Sequence, residues 1–315
     1  MRDIEELNER FSDRVHFIDG GLATELEARG HDISGKLWSG HVLLNDVAAI
    51  EQLHYDYLVA GADIIITASY QVSIPGMREA GYSRQDALSA LELSVEAGTR
   101  ARRRWCAAKA VTSWDEQPLI AASVGPYGAY LADGSEYTGD YELDAAGLQA
   151  FHRERLELFI QSDADLLAFE TVPSLTEALA YADLVKAFGG PPAWISFTCR
   201  DGEHLSDGTH IAEAIRTLLR SYPNWIAIGV NCTPPQHVER ALTTMAKETN
   251  INLVSYPNSG EAWDAEHRCW TGENDAVAFT DYAKRWLARG ARLIGGCCRT
   301  GPSHIANLRA SLGNH

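Results

Sequence analysis

Three cysteines in two short motifs are the side chains of this chain best suited to chemistry. Cys232 lies in GVNCTPP, and Cys297 and Cys298 follow two glycines in GGCC, much later in the chain. Thiolate sulfur binds soft or borderline metal ions, above all zinc, and three protein ligands leave the fourth position of a catalytic zinc site open. The spacing alone favours zinc no more than a chance set of buried cysteines, because it lacks compact CxxC pairs.

These cysteines can act together only if regular elements bring them to one place. Short apolar runs rich in β-branched residues predict eight strands, each almost continuously hydrophobic, as strands buried on both faces of a parallel sheet are. The predicted strands are 15–19, 62–69, 119–125, 166–171, 194–198, 227–232, 252–256 and 292–296.

Eight amphipathic segments alternate with these strands and predict helices. They are 46–60, 84–109, 144–163, 174–188, 209–221, 235–249, 278–289 and 302–313. Strict alternation predicts an α/β fold, a (β/α)₈ TIM barrel, and the lack of a linker or repeat predicts one domain over residues 1–315. The alternative is an open doubly wound sheet, but its G-x-G-x-x-G turn does not follow the first strand, which ends in DGGLATE.

A (β/α)₈ barrel places its chemistry at the carboxyl ends of the strands. There the sequence has a set of polar residues: Asp19, Thr67, Ser69, Glu170 and Asn231. The three cysteines follow strands six and eight, so closure of the barrel predicts that they share one rim. Gly295 and Gly296 are expected to supply backbone conformations that let both following cysteines face inward.

Charge and composition exclude several classes of partner. The chain has 27 Lys and Arg against 43 Asp and Glu, a net charge of -16 that repels nucleic acid and anionic membranes. No secretory signal begins the chain, and no run approaches the ~18 apolar residues of a membrane span. We therefore expect a cytoplasmic protein with no nucleic-acid or membrane partner, whose six cysteines are poor candidates for a disulfide framework.

Motifs along almost the whole chain resemble those of the zinc-dependent homocysteine S-methyltransferases, closest to those that use S-methylmethionine. The resemblance lies in DGGLATELEARG (19–30), LWSG (37–40), GADIIITASYQVS (61–73), SVGPYGAYLADGSEYTGDY (123–141), FETVPS (169–174), GVNCTPP (229–235), YPNSGE (256–261) and GGCC (295–298). It implies a (β/α)₈ barrel, in agreement with the strand count, and a methyltransferase that converts homocysteine to methionine.

The resemblance also implies a ligand set. Cys232, Cys297 and Cys298 would bind Zn²⁺, and the sulfur of homocysteine would be the remaining ligand. Coordination would convert a thiol of pKa about 8.5 to the nucleophilic thiolate, which would attack the methyl carbon of a sulfonium donor.

Substrate contacts follow from the same resemblance. Asp19 and Glu170 would position homocysteine by facing its amino group, and backbone N–H groups near Gly20 and Gly21 would receive its carboxylate. Without the resemblance, a turn cap explains Asp19 and a rim salt bridge explains Glu170. Trp38 would face the sulfonium through cation–π attraction.

Ser69, Gln71 and Asn231 are further candidates for contact with substrate. The long Gly- and Tyr-rich stretch after strand three would cover the bound substrates. Cys199 also follows a strand on this rim, and as a fourth ligand it would close the metal site.

Several alternatives stay open on the sequence. S-adenosylmethionine or betaine could replace S-methylmethionine as donor, and selenocysteine or another thiol could replace homocysteine as acceptor. Two other classes of protein also stay open. A zinc hydrolase would use metal-bound hydroxide, and a redox sensor would form a vicinal disulfide between Cys297 and Cys298. The sequence leaves the oligomeric state open.

Overall fold

Parallel strands form a barrel at the centre of this computed structural model, which describes residues 1–33, 35, 37, 39–264, 269–271 and 275–313. The strands are β1 His16–Phe17, β2 Ile64–Ile66, β3 Leu119–Val124, β4 Leu166–Val172, β5 Ala193–Phe197, β6 Ala227–Asn231, β7 Asn252–Tyr256, β8 Ala262–Asp264, β9 Cys269–Thr271 and β10 Ala291–Ile294. All but β8 and β9 belong to the barrel and correspond to the eight predicted strands.

The barrel strands pair in the order β1-β10-β7-β6-β5-β4-β3-β2, and every pair is parallel. The remaining seam closes through a parallel bridge between Ile18 and Ile64. At this seam Asp63 N–H donates to Phe17 O at 2.7 Å, and Asp19 N–H donates to Ile64 O at 3.1 Å. The predicted (β/α)₈ barrel is confirmed, and an open sheet is wrong.

The eight predicted helices are also present, and several begin at a capping side chain that the sequence supplies. Asp46, Ser83, Asp144 and Ser174 each accept a hydrogen bond from a backbone N–H in the first turn of the helix that follows. The predicted helices correspond to α4 Val47–Ala60, α6 Arg84–Lys109, α8 Ala145–Gln161, α9 Leu175–Ala187, α10 Ile211–Ser221, α11 Pro235–Glu248, α12 Ala276–Ala288 and α13 Pro302–Leu312.

Five helices were not predicted: α1 Ile4–Asp13, α2 Leu22–Ala28, α3 Ser39–Asn45, α5 Ile74–Glu79 and α7 Tyr127–Leu131. The first of them closes one end of the barrel, because Leu7 and Phe11 are fully buried against its interior. Strands β8 and β9 form an antiparallel hairpin between β7 and α12, which was not predicted either. Among the described residues, no helix combines the length and apolar character needed to cross a bilayer.

Two hydrophobic layers surround the strands. One fills the barrel with residues such as Leu119, Leu166 and Leu293, and the other lies between the strands and the outer helices. Since α1 covers the amino ends of the strands, access to the barrel interior is from the opposite rim.

Candidate active site

Strands β6 and β10 bring three sulfur atoms together at the carboxyl rim of the barrel. The Sγ atoms of Cys232, Cys297 and Cys298 lie within 4.8 Å of one another. Cys232 and Cys297 are joined as a disulfide, and Cys298 is a free thiol. This pairing differs from the vicinal Cys297–Cys298 disulfide of the redox-sensor alternative. In the reduced state, three thiolates at this spacing could hold a soft or borderline metal ion.

The backbone around the cysteines turns in a way that the sequence did not predict. Cys232 has a left-handed φ of 45°, which costs a residue with a side chain about 1–3 kcal/mol and often marks a functional site. Gly295 and Gly296 are not left-handed, so the expectation of special glycine conformations was wrong. They are needed for close packing instead, because a Cβ on Gly296 would lie 2.2 Å from Thr300 Oγ1.

Two buried carboxyl groups lie beside the sulfur atoms. Asp19 Oδ2 accepts a hydrogen bond from Ile66 N–H at 3.0 Å, and Glu170 Oε1 accepts one from Ser123 Oγ. Burial raises the pKa of Asp19 well above its usual range, and the charge of Glu170 adds to that effect. Burial also raises the pKa of Glu170 to about 7, against the opposing hydrogen bonds from Ser123 and Tyr256. A cationic group in the cavity would favour the ionised form of both carboxyls.

The cavity that contains these groups opens at the carboxyl ends of the strands. Its polar or ionisable lining residues are Asp19, Thr24, Ser39, Thr67, Tyr70, Gln71, Glu136, Tyr137, Glu170, Thr171, Tyr256 and the three cysteines, together with Gly20, Gly21 and Gly296. None of its described lining residues is Lys or Arg. The cavity therefore has three carboxyl groups and no basic side chain among its described lining residues, and it suits ligands that carry positive charge.

Two of the predicted contact residues lie behind the wall of this cavity. Ser69 Oγ donates to Ser123 O at 2.9 Å. Asn231 Oδ1 accepts from Thr171 N–H at 2.7 Å and from Ser196 Oγ at 2.8 Å. Since Thr171 has a left-handed φ of 57° where the pairing of β4 with β5 is irregular, Asn231 holds this bend near the end of β4.

The other residues predicted to contact substrate differ in whether they line the cavity. Gly20 and Gln71 line the cavity, and the Gln71 amide also donates to Ala129 O. Gly21 N–H donates to Thr300 O at 2.8 Å, so the role of receiving a substrate carboxylate stays a prediction for the other backbone N–H groups near Gly20 and Gly21. Trp38 lies outside the described residues.

Cys199 stays apart from the other rim cysteines. Its backbone N–H donates to Thr233 Oγ1 at 3.0 Å, and burial raises the pKa of its thiol to about 12. The sulfur cluster found among the described residues consists of Cys232, Cys297 and Cys298 and does not include it.

Sequence reasoning missed several residues of the cavity wall. Tyr256 ends β7, so the rule that identified Glu170 would also have found it. Glu136 and Tyr137 lie on the long connection after β3, far from any strand end. That connection was predicted only as a substrate-covering stretch, without these residues.

A second cavity, of about 520 Å³, lies at the opposite end of the barrel. Its wall includes Met1 and Arg2 of the N-terminus together with Arg102 of α6 and Asp165, which precedes β4. Arg102 Nη1 lies 2.5 Å from Asp165 Oδ2, and Arg2 pairs with the same carboxylate. Ion pairs at the amino end of barrel strands serve stability rather than catalysis.

Comparison with known proteins decides the family. A family model described as homocysteine S-methyltransferase matches residues 16–312. This chain belongs to that family, and it is a methyltransferase. Homocysteine S-methyltransferase YbgG of Bacillus subtilis is 44% identical over 293 residues, which cover 93% of each chain. Homocysteine S-methyltransferase of Escherichia coli is 45% identical over 302 residues, 94% of each chain.

Solved structures of the homocysteine S-methyltransferase family agree with the fold. The metallated form of the homocysteine methyltransferase MmuM from Escherichia coli matches with a TM-score of 0.84 and 43% identity. It covers 95% of this chain and 96% of that one. The oxidised form of MmuM matches with a TM-score of 0.85, over 94% and 95% of the two chains.

Proposed function

We propose that this family member transfers a methyl group from a sulfonium donor, S-methylmethionine, to homocysteine and so forms methionine. The convergence of three cysteine sulfurs with the buried carboxyls of Asp19 and Glu170 in one cavity carries the proposal. The names of the relatives support homocysteine as acceptor. The barrel over residues 1–315 is then one homocysteine-binding unit.

We propose that Cys232, Cys297 and Cys298 hold a zinc ion once the disulfide is reduced. The donor set fits, because sulfur ligands select zinc over hard cations such as Mg²⁺, and three of them leave one position for substrate. The metallated form of MmuM supports a metal in this family. Zinc held by these three cysteines would lower the pKa of the homocysteine thiol and so favour its thiolate form.

Asp19 and Glu170 would position homocysteine. Burial raises the pKa values of both carboxyls, so an ammonium group is a favourable partner that restores their ionised form. Gly20 lines the cavity next to Asp19 through its backbone, because a Cβ there would lie 2.3 Å from Thr300 O. Held in this way, the homocysteine sulfur faces the donor.

Methyl transfer itself requires little acid–base chemistry from the chain. The homocysteine sulfur forms a bond to the methyl carbon as the bond between that carbon and the donor sulfur breaks, and the donor leaves as a neutral thioether. A negative and a positive charge disappear together, so exclusion of water by the cavity wall favours the transition state over separated ions. No general base need act on the methyl carbon.

The proposal is tested by a panel of donors and acceptors on the reduced enzyme, with metal analysis of the purified protein. S-methylmethionine, S-adenosylmethionine and betaine are each supplied with homocysteine or selenocysteine, and the methylated product is measured. We expect bound zinc and the fastest methionine formation from S-methylmethionine. Product from another pair alone would reassign the substrate within the family.

A pair of cysteine variants tests the metal site. Cys298→Ser should lose zinc and lower the turnover rate by about a hundredfold or more, because a hydroxyl is a poor zinc ligand. Cys106→Ser, outside the sulfur cluster, is the matched control and should retain both. Full activity of Cys298→Ser without bound zinc would refute the metal site.

A further inference from the structure

A third buried carboxyl group faces the active-site cavity, from outside the strands. Glu136 lies in the short 3₁₀ turn Ser135–Tyr137, on the connection between β3 and α8, and is 9% exposed. It lines the same cavity as Asp19 and Glu170. Its Oε2 is buried and has no hydrogen-bond partner among the described residues, whereas the other two carboxylates accept hydrogen bonds from the barrel.

The fold holds Glu136 at this position by close packing. Gly128 on α7 packs against the backbone of the turn so closely that a Cβ there would lie 2.4 Å from Glu136 N. Both sides of the connection are fixed to Glu177 on α9, whose carboxylate accepts from Tyr127 N–H at 2.7 Å and from the Tyr141 hydroxyl. The position of Glu136 is therefore built by the fold.

Backbone groups of Gly134 and of Glu136 itself hydrogen-bond to this carboxyl, but the buried Oε2 accepts no hydrogen bond from the described residues, and a buried carboxylate charge is costly unless a cation compensates it. None of the described residues lining the cavity is Lys or Arg, so the chain supplies no such cation at the wall. Burial raises the pKa of Glu136, and its side chain lines the same cavity as the three cysteines. The missing partner is a positive charge that arrives with a ligand.

We propose that Glu136 is a binding residue for the methyl donor, and that its carboxylate faces the positive sulfonium centre. This inference rests on the proposed function and extends it to the recognition of the donor. Asp19 and Glu170, deeper in the barrel, remain for the amino group of homocysteine. Glu136 then explains how the cavity selects a sulfonium over the neutral thioether that leaves after transfer.

The chemistry predicts an unusual kinetic signature. The sulfonium charge disappears as the methyl group moves, so a carboxylate beside it stabilises the bound donor more than the transition state. Removing the charge should weaken donor binding without slowing the chemical step. An acid or base in the reaction would instead lower kcat.

The decisive experiment compares Glu136→Gln with Glu142→Gln, which makes the same change at an exposed position of the same connection. For Glu136→Gln we expect KM for S-methylmethionine to rise about ten- to hundredfold. The KM for homocysteine, the zinc content and kcat should be unchanged, or kcat slightly higher. The Glu142→Gln variant should match the parent enzyme in all four.

A binding measurement separates the sulfonium from the rest of the donor. Methionine differs from S-methylmethionine only by the methyl cation, so its dissociation constant should be nearly the same in Glu136→Gln and the parent. An equal loss for both ligands would assign Glu136 to the amino group and overturn the inference. So would an unchanged KM for the donor, or a fall in kcat alone.

The two proposals can fail separately. If the parent enzyme forms no methionine from any sulfonium donor, the proposed function fails. If the parent enzyme is active and Glu136→Gln binds S-methylmethionine normally, only the role of Glu136 fails. Because the variant removes a buried charge and keeps the shape of the side chain, we expect its melting temperature to be unchanged or higher.

Discussion

Buried ionisable side chains in this barrel differ in whether the protein supplies them with a partner. Asp19 and Glu170 accept hydrogen bonds from the barrel, and one carboxylate oxygen of Glu136 is left for a ligand. His54 on α4 is a contrasting case, since it is fully buried and neither ring nitrogen has a hydrogen-bond partner among the described residues. Because His54 does not line the cavity, we expect it to affect the stability of the fold and not catalysis.

His54 predicts loss of stability in mild acid. Burial lowers its pKa to about 3, against about 6.5 in the unfolded chain. Between these values the unfolded state binds more protons, so the free energy of unfolding falls as pH drops below about 6.5. From pH 7.5 to 5 this single group accounts for a loss of about 2 kcal/mol in the free energy of unfolding.

Replacement of the histidine should remove that loss. Urea unfolding of His54→Leu at pH 5 and pH 7.5 should show a smaller difference between the two values than in the parent. His41→Leu, the same change at an exposed position, should keep the parent's difference. A pH dependence unaltered in His54→Leu would show that the histidine is protonated in the folded state.

At the scale of elements, the connection between β3 and α8 is fixed by a buried polar network on its outer side. Glu177 on α9 accepts from Tyr127 and Tyr141, and His152 Nε2 lies 2.7 Å from its carboxylate. Arg155 approaches the other nitrogen of His152 and also donates to a backbone carbonyl at the start of the connection. The network joins α8 and α9 to the segment that carries Glu136.

Glu177→Gln should therefore affect both stability and donor binding. It leaves the buried Arg155 without its nearby negative charge, and we expect the free energy of unfolding to fall by about 2–4 kcal/mol. It also loosens both sides of the connection, so KM for S-methylmethionine should rise while the zinc content stays at the parent's level. Urea unfolding and donor kinetics measure these effects.

The control is Glu154→Gln on the exposed side of α8, which removes a surface ion pair with Arg84. Surface pairs of this kind contribute little, so both measurements should stay near those of the parent. A Glu177→Gln enzyme as stable as the parent would show that the network does not hold the connection in place.

The whole molecule depends on closure of the barrel, and the weakest place is the seam between β1 and β2. Strand β1 has only two residues, and one isolated bridge joins Ile18 to Ile64. Asp63 reinforces the seam, because its carboxylate accepts from Phe17 N–H at 2.8 Å and pairs with Arg309 at 2.6 Å. The same carboxylate pairs with Arg14, so it connects the N-terminal strand to the last helix.

Asp63→Asn should open this seam first. Two arginines lose their partner, but both are partly exposed, so we expect a loss of about 2–3 kcal/mol rather than the full effect of a buried pair. Urea unfolding measures it, and hydrogen exchange should show faster exchange in β1 and β2 than in β5 and β6. Asp281→Asn, which breaks an exposed pair with Lys284, should be indistinguishable from the parent.

Net charge is a property of the whole chain, and the partners expected from it rest on composition alone. The acidic balance disfavours nucleic-acid partners, and this stays a prediction. The carboxyl groups that line the cavity favour cationic ligands at that site, which the net charge of the chain could not show.

The amino-acid sequence by itself determined the barrel and the types of residue at its rim. A strand buried on both faces is a continuous run of apolar residues, and a helix buried on one face has apolar residues at helical spacing. Both patterns are local in the sequence, so all eight βα units could be predicted. The prediction failed for α1, because its many charged residues concealed Leu7 and Phe11, spaced four apart on the face that plugs the barrel.

Tertiary structure alone decided which rim residues reach the cavity. Ser69 and Asn231 lie near the carboxyl ends of strands, as Glu170 does, yet their side chains hydrogen-bond to the backbone of β3 and β4. Glu136 has no strand-end position, and contacts with α7 and α9 bring it to the cavity wall. The local pattern of apolar residues does not show which side chains reach the cavity, because this depends on contacts between residues that are far apart in the chain.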